Sequence, residues 1–185
     1  MTDPLATLPG TLDEVWRQLE LGVADRTAPA RHPVLATAGG EGAEARMVVL
    51  RAADRARAVL EIHTDVRSGK VAELRAEKRA SLHVWIPDAG LQIRLRCHVQ
   101  ILAGGAAAPY WDAVPVSART LYGGDPAPGQ NIDRPDDHAA GADPACFCVL
   151  RGRLVEIETL QIAEPQHRRA VFRAAAGWEG TWRAP

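Results

Sequence analysis

The chain has 185 residues, with 22 Lys and Arg against 23 Asp and Glu, a formal charge of −1 and a pI near 6.6. That balance excludes a polyanion such as nucleic acid as a general partner and confines any anion site to a local cluster. The length suits one domain with a core of useful size. No apolar run reaches the roughly 18 residues of a membrane helix and no signal-peptide pattern opens the chain, so a cytoplasmic protein without membrane contact is expected. The three cysteines, Cys97, Cys146 and Cys148, form no CxxC pair and are expected as buried free thiols, Cys146 and Cys148 on one strand face. His63, His83, His98 and His167 stand singly, so no metal site is expected.

Thr11 to Asp25 reads as a helix. Thr11 and Glu14 have capping-box spacing, and Leu12, Val15, Trp16, Leu19 and Val23 form an apolar stripe. Residues 1–30 are thus an N-terminal helix and lead-in. Val34 to Thr37 is a strand, Gly39-Gly40-Glu41-Gly42 a hairpin turn, and Ala45 to Ala52 the return strand. Asp54 to Arg57 turns the chain into a strand over Ala58 to Thr64. Ser68 to Ala76 is a short helix with Val71 and Leu74 inward. Ala80 to Ile86 is a strand closed by the turn Pro87-Asp88-Ala89-Gly90. Leu91 to Leu102 alternates cleanly: Leu91, Ile93, Leu95, Cys97, Val99 and Ile101 face one way, Gln92, Arg94, Arg96, His98 and Gln100 the other. That polar face is wet, at an interface, or against a polar ligand.

Ala106 to Ala113 is a helix, and Val116 to Tyr122 suggests a shorter one. Residues 123–144 are dense in Gly, Pro and Asp; so long a loop tends to be functional or disordered. Its first part reads as a binding loop, and Asp133 to Asp143 as mobile. Ala145 to Ile162 supplies one or two strands, and Arg168 to Ala174 with Gly177 to Trp182 a terminal hairpin. The sum is a mainly β (α+β) chain of about six or seven antiparallel strands, a barrel with peripheral helices.

Two segments carry chemistry. Arg46-Met47-Val48-Val49-Leu50-Arg51 is an apolar run bounded by arginines, which point opposite ways in a regular strand. Both reach one ligand only if it wraps a strand end or the strand bends. In His63-Thr64-Asp65-Val66-Arg67-Ser68-Gly69-Lys70, Thr64, Ser68 and Lys70 sit where a strand gives way to a helix. Free N–H groups and hydroxyls there favour an anion. The residues fit a phosphate bound between strand and helix start. They equally fit a surface strand with solvated arginines and a helix capped by Asp65 or Ser68.

In order and spacing, these segments resemble the pyridoxamine 5′-phosphate oxidase-like family of FMN-binding split barrels. The resemblance runs from about Pro33 to Pro185, including the closing Arg183-Ala184-Pro185. It is nearest the branch with Ser117-Ala118-Arg119 followed by Asp125-Pro126-Ala127-Pro128-Gly129-Gln130, whose substrate is unassigned. It implies FMN contacts at Arg46, Val49 and Arg51 and at His63 and Thr64, His63 replacing a tyrosine. Ser68 and Lys70 match a Ser-Arg-Lys phosphate motif whose arginine is Gly69 here; Arg67 is the nearby candidate to replace it. Gln92 matches a glutamine at the flavin ring, Gln130 one given by the other subunit, and Arg169 a late arginine, whereas Leu160 stands where the family often has tryptophan. Tyr110 and His167 match substrate positions, but Val114 and Pro165 replace two cations that clamp the substrate phosphate.

The resemblance therefore implies an FMN flavoprotein, an oxidoreductase acting on an unidentified small molecule and dimeric with the flavin at the interface. The alternatives are a flavin-binding protein without turnover, a scaffold that has lost the cofactor, and a true pyridoxamine 5′-phosphate oxidase. FMN itself is the reactive group in such a protein, so no side-chain nucleophile is required.

Overall fold

The computed structural model describes residues 3–185. The first helix, α1 (Leu8–Ala24), starts one turn earlier than the Thr11/Glu14 spacing suggests. Thr7 is the cap: its Oγ1 accepts from the Gly10 N–H at 3.2 Å, and Pro9 is tolerated in a first turn whose N–H groups lack partners anyway. Thr11 is buried and donates to the Thr7 carbonyl instead. Arg31 then donates to the Gly22 and Val23 carbonyls at the helix end and to that of Leu50, tying helix and sheet together.

The strands are β1 (Val34–Gly39), β2 (Gly42–Met47), β3 (Leu50–Asp54), β4 (Val59–Asp65), β5 (Arg79–Ile86) and β6 (Leu91–Ala103). There follow β7 (Leu121–Tyr122), β8 (Gly141–Ala142), β9 (Phe147–Gln161), β10 (Arg168–Arg173) and β11 (Gly180–Arg183). The further helices are α2 (Gly69–Ala76), α3 (Ala108–Ala113) and α4 (Val116–Arg119). Nine strands form one sheet in the order β11-β10-β9-β6-β5-β1-β2, with β3 and β4 attached through a β4–β9 pairing. The named pairings in it are antiparallel, and no ladder joins β2 to β3, so the barrel is split. The count exceeds the six or seven expected in part because the segment read as one strand over residues 45–52 forms two.

Two departures shape the site. The expected strand over residues 45–52 is two strands, broken at Val48-Val49, where the pairing with β1 ends on the Val48 N–H to Pro33 carbonyl bond and the chain passes to β4. Arg51 then occupies a β-bulge, since Leu50 pairs with Ile62 and Ala52 with Glu61. The segment 145–162 is one continuous 15-residue strand, β9, which pairs with β4, β6 and β10. Cys146 lies in the turn before it rather than on a shared strand face with Cys148, because Pro144 opens a 3₁₀ turn there. Cys97 and Cys148 are buried, and burial raises their thiols to about 12 and about 11.

The alternation of β6 holds: Leu91, Ile93, Leu95, Cys97 and Val99 join the main core. A bulge at Arg96/Cys97, opposite Val155, keeps β6 and β9 in phase across the bend. α2 packs on this core through fully buried Val71 and Leu74. A second cluster on the other face of β4, β6 and β9 gathers Leu102, Trp111, Val114, Tyr122, Phe147 and Val149 under α3. The 123–144 segment lies beside it, folded back by the Asp125–Ala139 bridge and the two-residue β7–β8 pairing.

Candidate functional site

Thr64 closes β4 on its core-facing side, beside Cys148 on β9, and Ser68 caps α2 three residues beyond Asp65. Ser68 is buried and donates to the Asp65 carbonyl at 2.8 Å, with its Oγ 3.5 Å from Thr64 Oγ1. Lys70 reaches back from the first turn of α2 and donates to Thr64 Oγ1 at 3.1 Å. Burial, then the charge of Arg46, hold its ammonium below the usual lysine range. These three side chains surround the start of an eight-residue helix whose first N–H groups have no intrahelical acceptor.

Arg51 stands on the other side of Thr64's neighbour His63. Its Nε is the one buried side-chain nitrogen or oxygen among the described residues with no hydrogen-bond partner. Burial, then the Arg51 charge, push His63 down to about 4, so the imidazole is neutral near pH 7. The bulge thus turns Arg51 toward His63 and Tyr122. Among the described residues neither Arg51 nor Lys70 has a carboxylate partner. Val49 lies between the two arginines, half-buried in the strand break.

Arg46 differs. It donates to Glu73 Oε1 and Oε2 at 3.2 and 2.9 Å and to Thr37 Oγ1, while Thr37 donates to Glu73 Oε2. Arg67 is also engaged: it chelates Asp65 through Nε and a terminal nitrogen at 3.0 and 2.7 Å and donates to the Gly124 carbonyl at 2.9 Å. Burial would raise the Asp65 carboxyl, but hydrogen bonds from Arg67 and from the Gly123 N–H outweigh it and hold it low. Arg67 therefore pins the start of the 123–144 loop to the β4–α2 turn.

The remaining candidates lie elsewhere. Gln92 sits on the polar face of β6 in a row that runs Trp85, Gln92, Leu160, Arg169, Arg183 across five strands. Arg169 donates to Glu158 at 2.7 Å, and Arg94 pairs with the same carboxylate. Gln130 is exposed and lines a cavity of about 460 Å³ in the 120–140 loop with Asp65, Leu121, Pro126 and Ile132. Tyr110 Oη joins Arg151 and Glu61 and sets its ring edge-on to His63. His167 Nδ1 accepts from the Ala163 N–H at 3.2 Å and closes the β9–β10 turn. Among the described residues no group of three or more His, Cys, Asp or Glu is placed to hold a metal.

The structure thus brings Arg46, Thr64, Ser68 and Lys70 together, sets Arg51 beside His63 and Tyr122, and puts Gln92 and Arg169 on the side of the sheet away from Thr64 and Lys70. Thr37 and Glu73 were not foreseen. Their only sequence signal is that Glu73 falls one turn after Gly69 and Lys70 on the same helix. An unpaired buried guanidinium nitrogen, a half-buried ammonium resting only on a hydroxyl, and free helix N–H groups fit a phosphate monoester.

The fold is that of a split-barrel protein, and the cradle has the chemistry of an anion site. The family model described as pyridoxamine 5′-phosphate oxidase, FMN-binding domain, matches residues 13–103. Through this domain the chain belongs to the pyridoxamine 5′-phosphate oxidase-like, FMN-binding family. Its cofactor is FMN. A pyridoxamine 5′-phosphate oxidase-related, FMN-binding protein from Nostoc punctiforme is 21% identical, with TM-score 0.74 over 94% of this chain and 95% of that one. PhzG from Burkholderia lata, solved with tetrahydrophenazine-1-carboxylic acid, is 22% identical, with TM-score 0.72 over 96% and 92%. A protein related to general stress protein 26, from Clostridium acetobutylicum, is 13% identical, with TM-score 0.59 over 89% and 95%. No curated protein matches the sequence.

Proposed function

We propose that this protein is an FMN-dependent oxidoreductase acting on a small molecule, as a homodimer with the flavin between its subunits. The carrying observation is the unpaired cationic cradle: Arg51 with an orphaned Nε, and Lys70 on Thr64 and Ser68. Bound FMN supplies two-electron redox chemistry. The chain's own residues bind and orient: Lys70 and Arg51 offer charge to the phosphate, Ser68 and Thr64 offer hydroxyls, and α2 offers N–H groups. Neutral His63, packed edge-on against Phe147 at 5.0 Å, walls the site without adding charge.

The dimer is supported by the division between faces. Thr64 and Lys70 belong to the core side of β4 and α2, whereas Gln92 and Arg169 lie on the polar face of β6 and β10. One flavin touches both sets most directly when they come from different subunits. That polar face also carries exposed Trp85 and Met47 beside grooves lined by Ser81, Arg94, Arg96 and Glu156. Such a mix of apolar and paired charged groups suits an interface between copies.

The substrate is a molecule other than pyridoxamine 5′-phosphate. Val114 is buried, and its carbonyl accepts from Arg119, which stacks over Trp111 at 5.2 Å and caps α3. Arg168 is taken by Asp3 and Gln161. Neither arginine is free to replace the clamps missing at Val114 and Pro165. Losing two charge-assisted contacts weakens a phosphate ligand by roughly a hundredfold or more.

Purified protein should show a flavin absorption spectrum, and the double variant R51A/K70A should lose it. Photometric turnover with a panel of small-molecule reductants separates an oxidoreductase from a flavin carrier. Efficient oxidation of pyridoxamine 5′-phosphate would overturn the substrate reading.

A further inference from the structure

We propose that Glu73 is a built-in competitor for the FMN phosphate: it occupies Arg46 and so sets the affinity of the site for phosphate over its absence. This rests on the FMN-phosphate reading of the Arg46–Lys70 cradle. Among the described residues, Arg46 is the one of the three cations there with carboxylate partners: it is held by both Glu73 oxygens, with Thr37 closing the triangle, and more loosely by the exposed Glu44 at 3.8 Å. The Glu73 side chain is only 18% exposed, so its charge is weakly screened. It lies within electrostatic reach of Lys70 as well, one turn further along α2.

Gly69 explains why Glu73 is free to do this. A Cβ built at Gly69 would make one ordinary contact, with Glu73 Oε1 at 3.6 Å. A cation at position 69 would stand one helical turn before Glu73, the spacing at which opposite charges pair. With glycine there, the carboxylate turns to Arg46 instead. An arriving phosphate must displace Glu73 from Arg46 or bind with a carboxylate nearby, and either lowers its affinity. The bond pattern leaves Arg51 and Lys70 as the immediate ligands and Arg46 as one held in reserve.

The test uses the full chain freed of flavin, titrated with FMN and with riboflavin by fluorescence quenching. Glu73→Gln keeps the size and the acceptor oxygen but removes the charge. It should tighten FMN by about threefold to tenfold, the scale of one partly screened charge, and leave riboflavin unchanged. Glu73→Asp, which keeps the charge, should stay near the wild-type FMN-to-riboflavin ratio. In the Arg46→Ala background the Glu73→Gln gain should shrink, because the competitor acts largely through Arg46. If wild type prefers FMN but Glu73→Gln leaves FMN unchanged or weaker, the competitor role is overturned and the phosphate site stands. If wild type binds riboflavin as tightly as FMN, the phosphate site itself is overturned, and the competitor role with it.

Discussion

Lys70 and Arg51 differ in how their charge is held, and that difference sets what each substitution should do. Lys70 sits half-buried on a neutral hydroxyl, so removing it relieves a desolvated cation while deleting a phosphate contact. Lys70→Ala should therefore leave thermal stability within about 1 kcal/mol of wild type yet weaken FMN by roughly tenfold or more, which calorimetry would read. His63 makes a pH prediction. Its imidazole is held at about 4 against an ordinary 6.5, so between those values the unfolded chain binds more protons than the folded one. Stability should fall as pH drops from about 6.5 to about 4, by on the order of 1–2 kcal/mol once partial exposure is discounted. Denaturant melts across that window should show the slope, and His63→Gln should flatten it. A slope that survives His63→Gln would place its source elsewhere. Asp65 and Glu158, whose carboxyls are held below 3.8 and 4.5, begin to lose their contribution only near the foot of that window, as pH falls past those values.

At the level of elements, what sequence reading recovered was local. The β6 alternation, the Gly39–Gly42 hairpin and the inward Val71 and Leu74 of α2 each follow from a period or a turn residue within about a dozen positions. The Pro87–Gly90 turn belongs with them. Gly90 has φ of 53°, and a Cβ there would meet the Ile162 carbonyl oxygen at 2.5 Å. Gly90→Ala should thus cost about 1–3 kcal/mol, a Tm drop of several degrees in a thermal melt with FMN binding otherwise intact. The unread parts depend on tertiary partners. The break at Val48-Val49 arises because the chain changes partner there, from β1 to β4, and the Arg51 bulge because β4 pairs one residue against two. Nothing within residues 46–51 signals either. The cap at Thr7 instead of Thr11 is a shift of one turn, decided by Thr11 being drawn inside.

For the whole molecule, the candidate residues fall into two sets that the linear order interleaves. That Thr64, Ser68 and Lys70 meet at the strand-to-helix turn was legible, but that Arg46 would be committed to Glu73 and Arg67 to Asp65 was not, since both pairings need the folded arrangement of α2, β4 and the loop. Gln92 and Arg169 share one row of the sheet with Trp85, on the face proposed to meet a second copy. Trp85→Glu places a charge on that face without touching the phosphate cradle. It should convert a dimer to monomer in sedimentation at micromolar concentration and lower FMN occupancy in step. A wild-type monomer that holds FMN fully would rule out the shared site. The most direct measurement is calorimetric titration of the full chain with FMN and with riboflavin, which differ only by the phosphate. The cradle of Arg51, Ser68 and Lys70 predicts that FMN binds at least about a hundredfold more tightly, as two charge-assisted contacts require. Equal affinities for the two would contradict it.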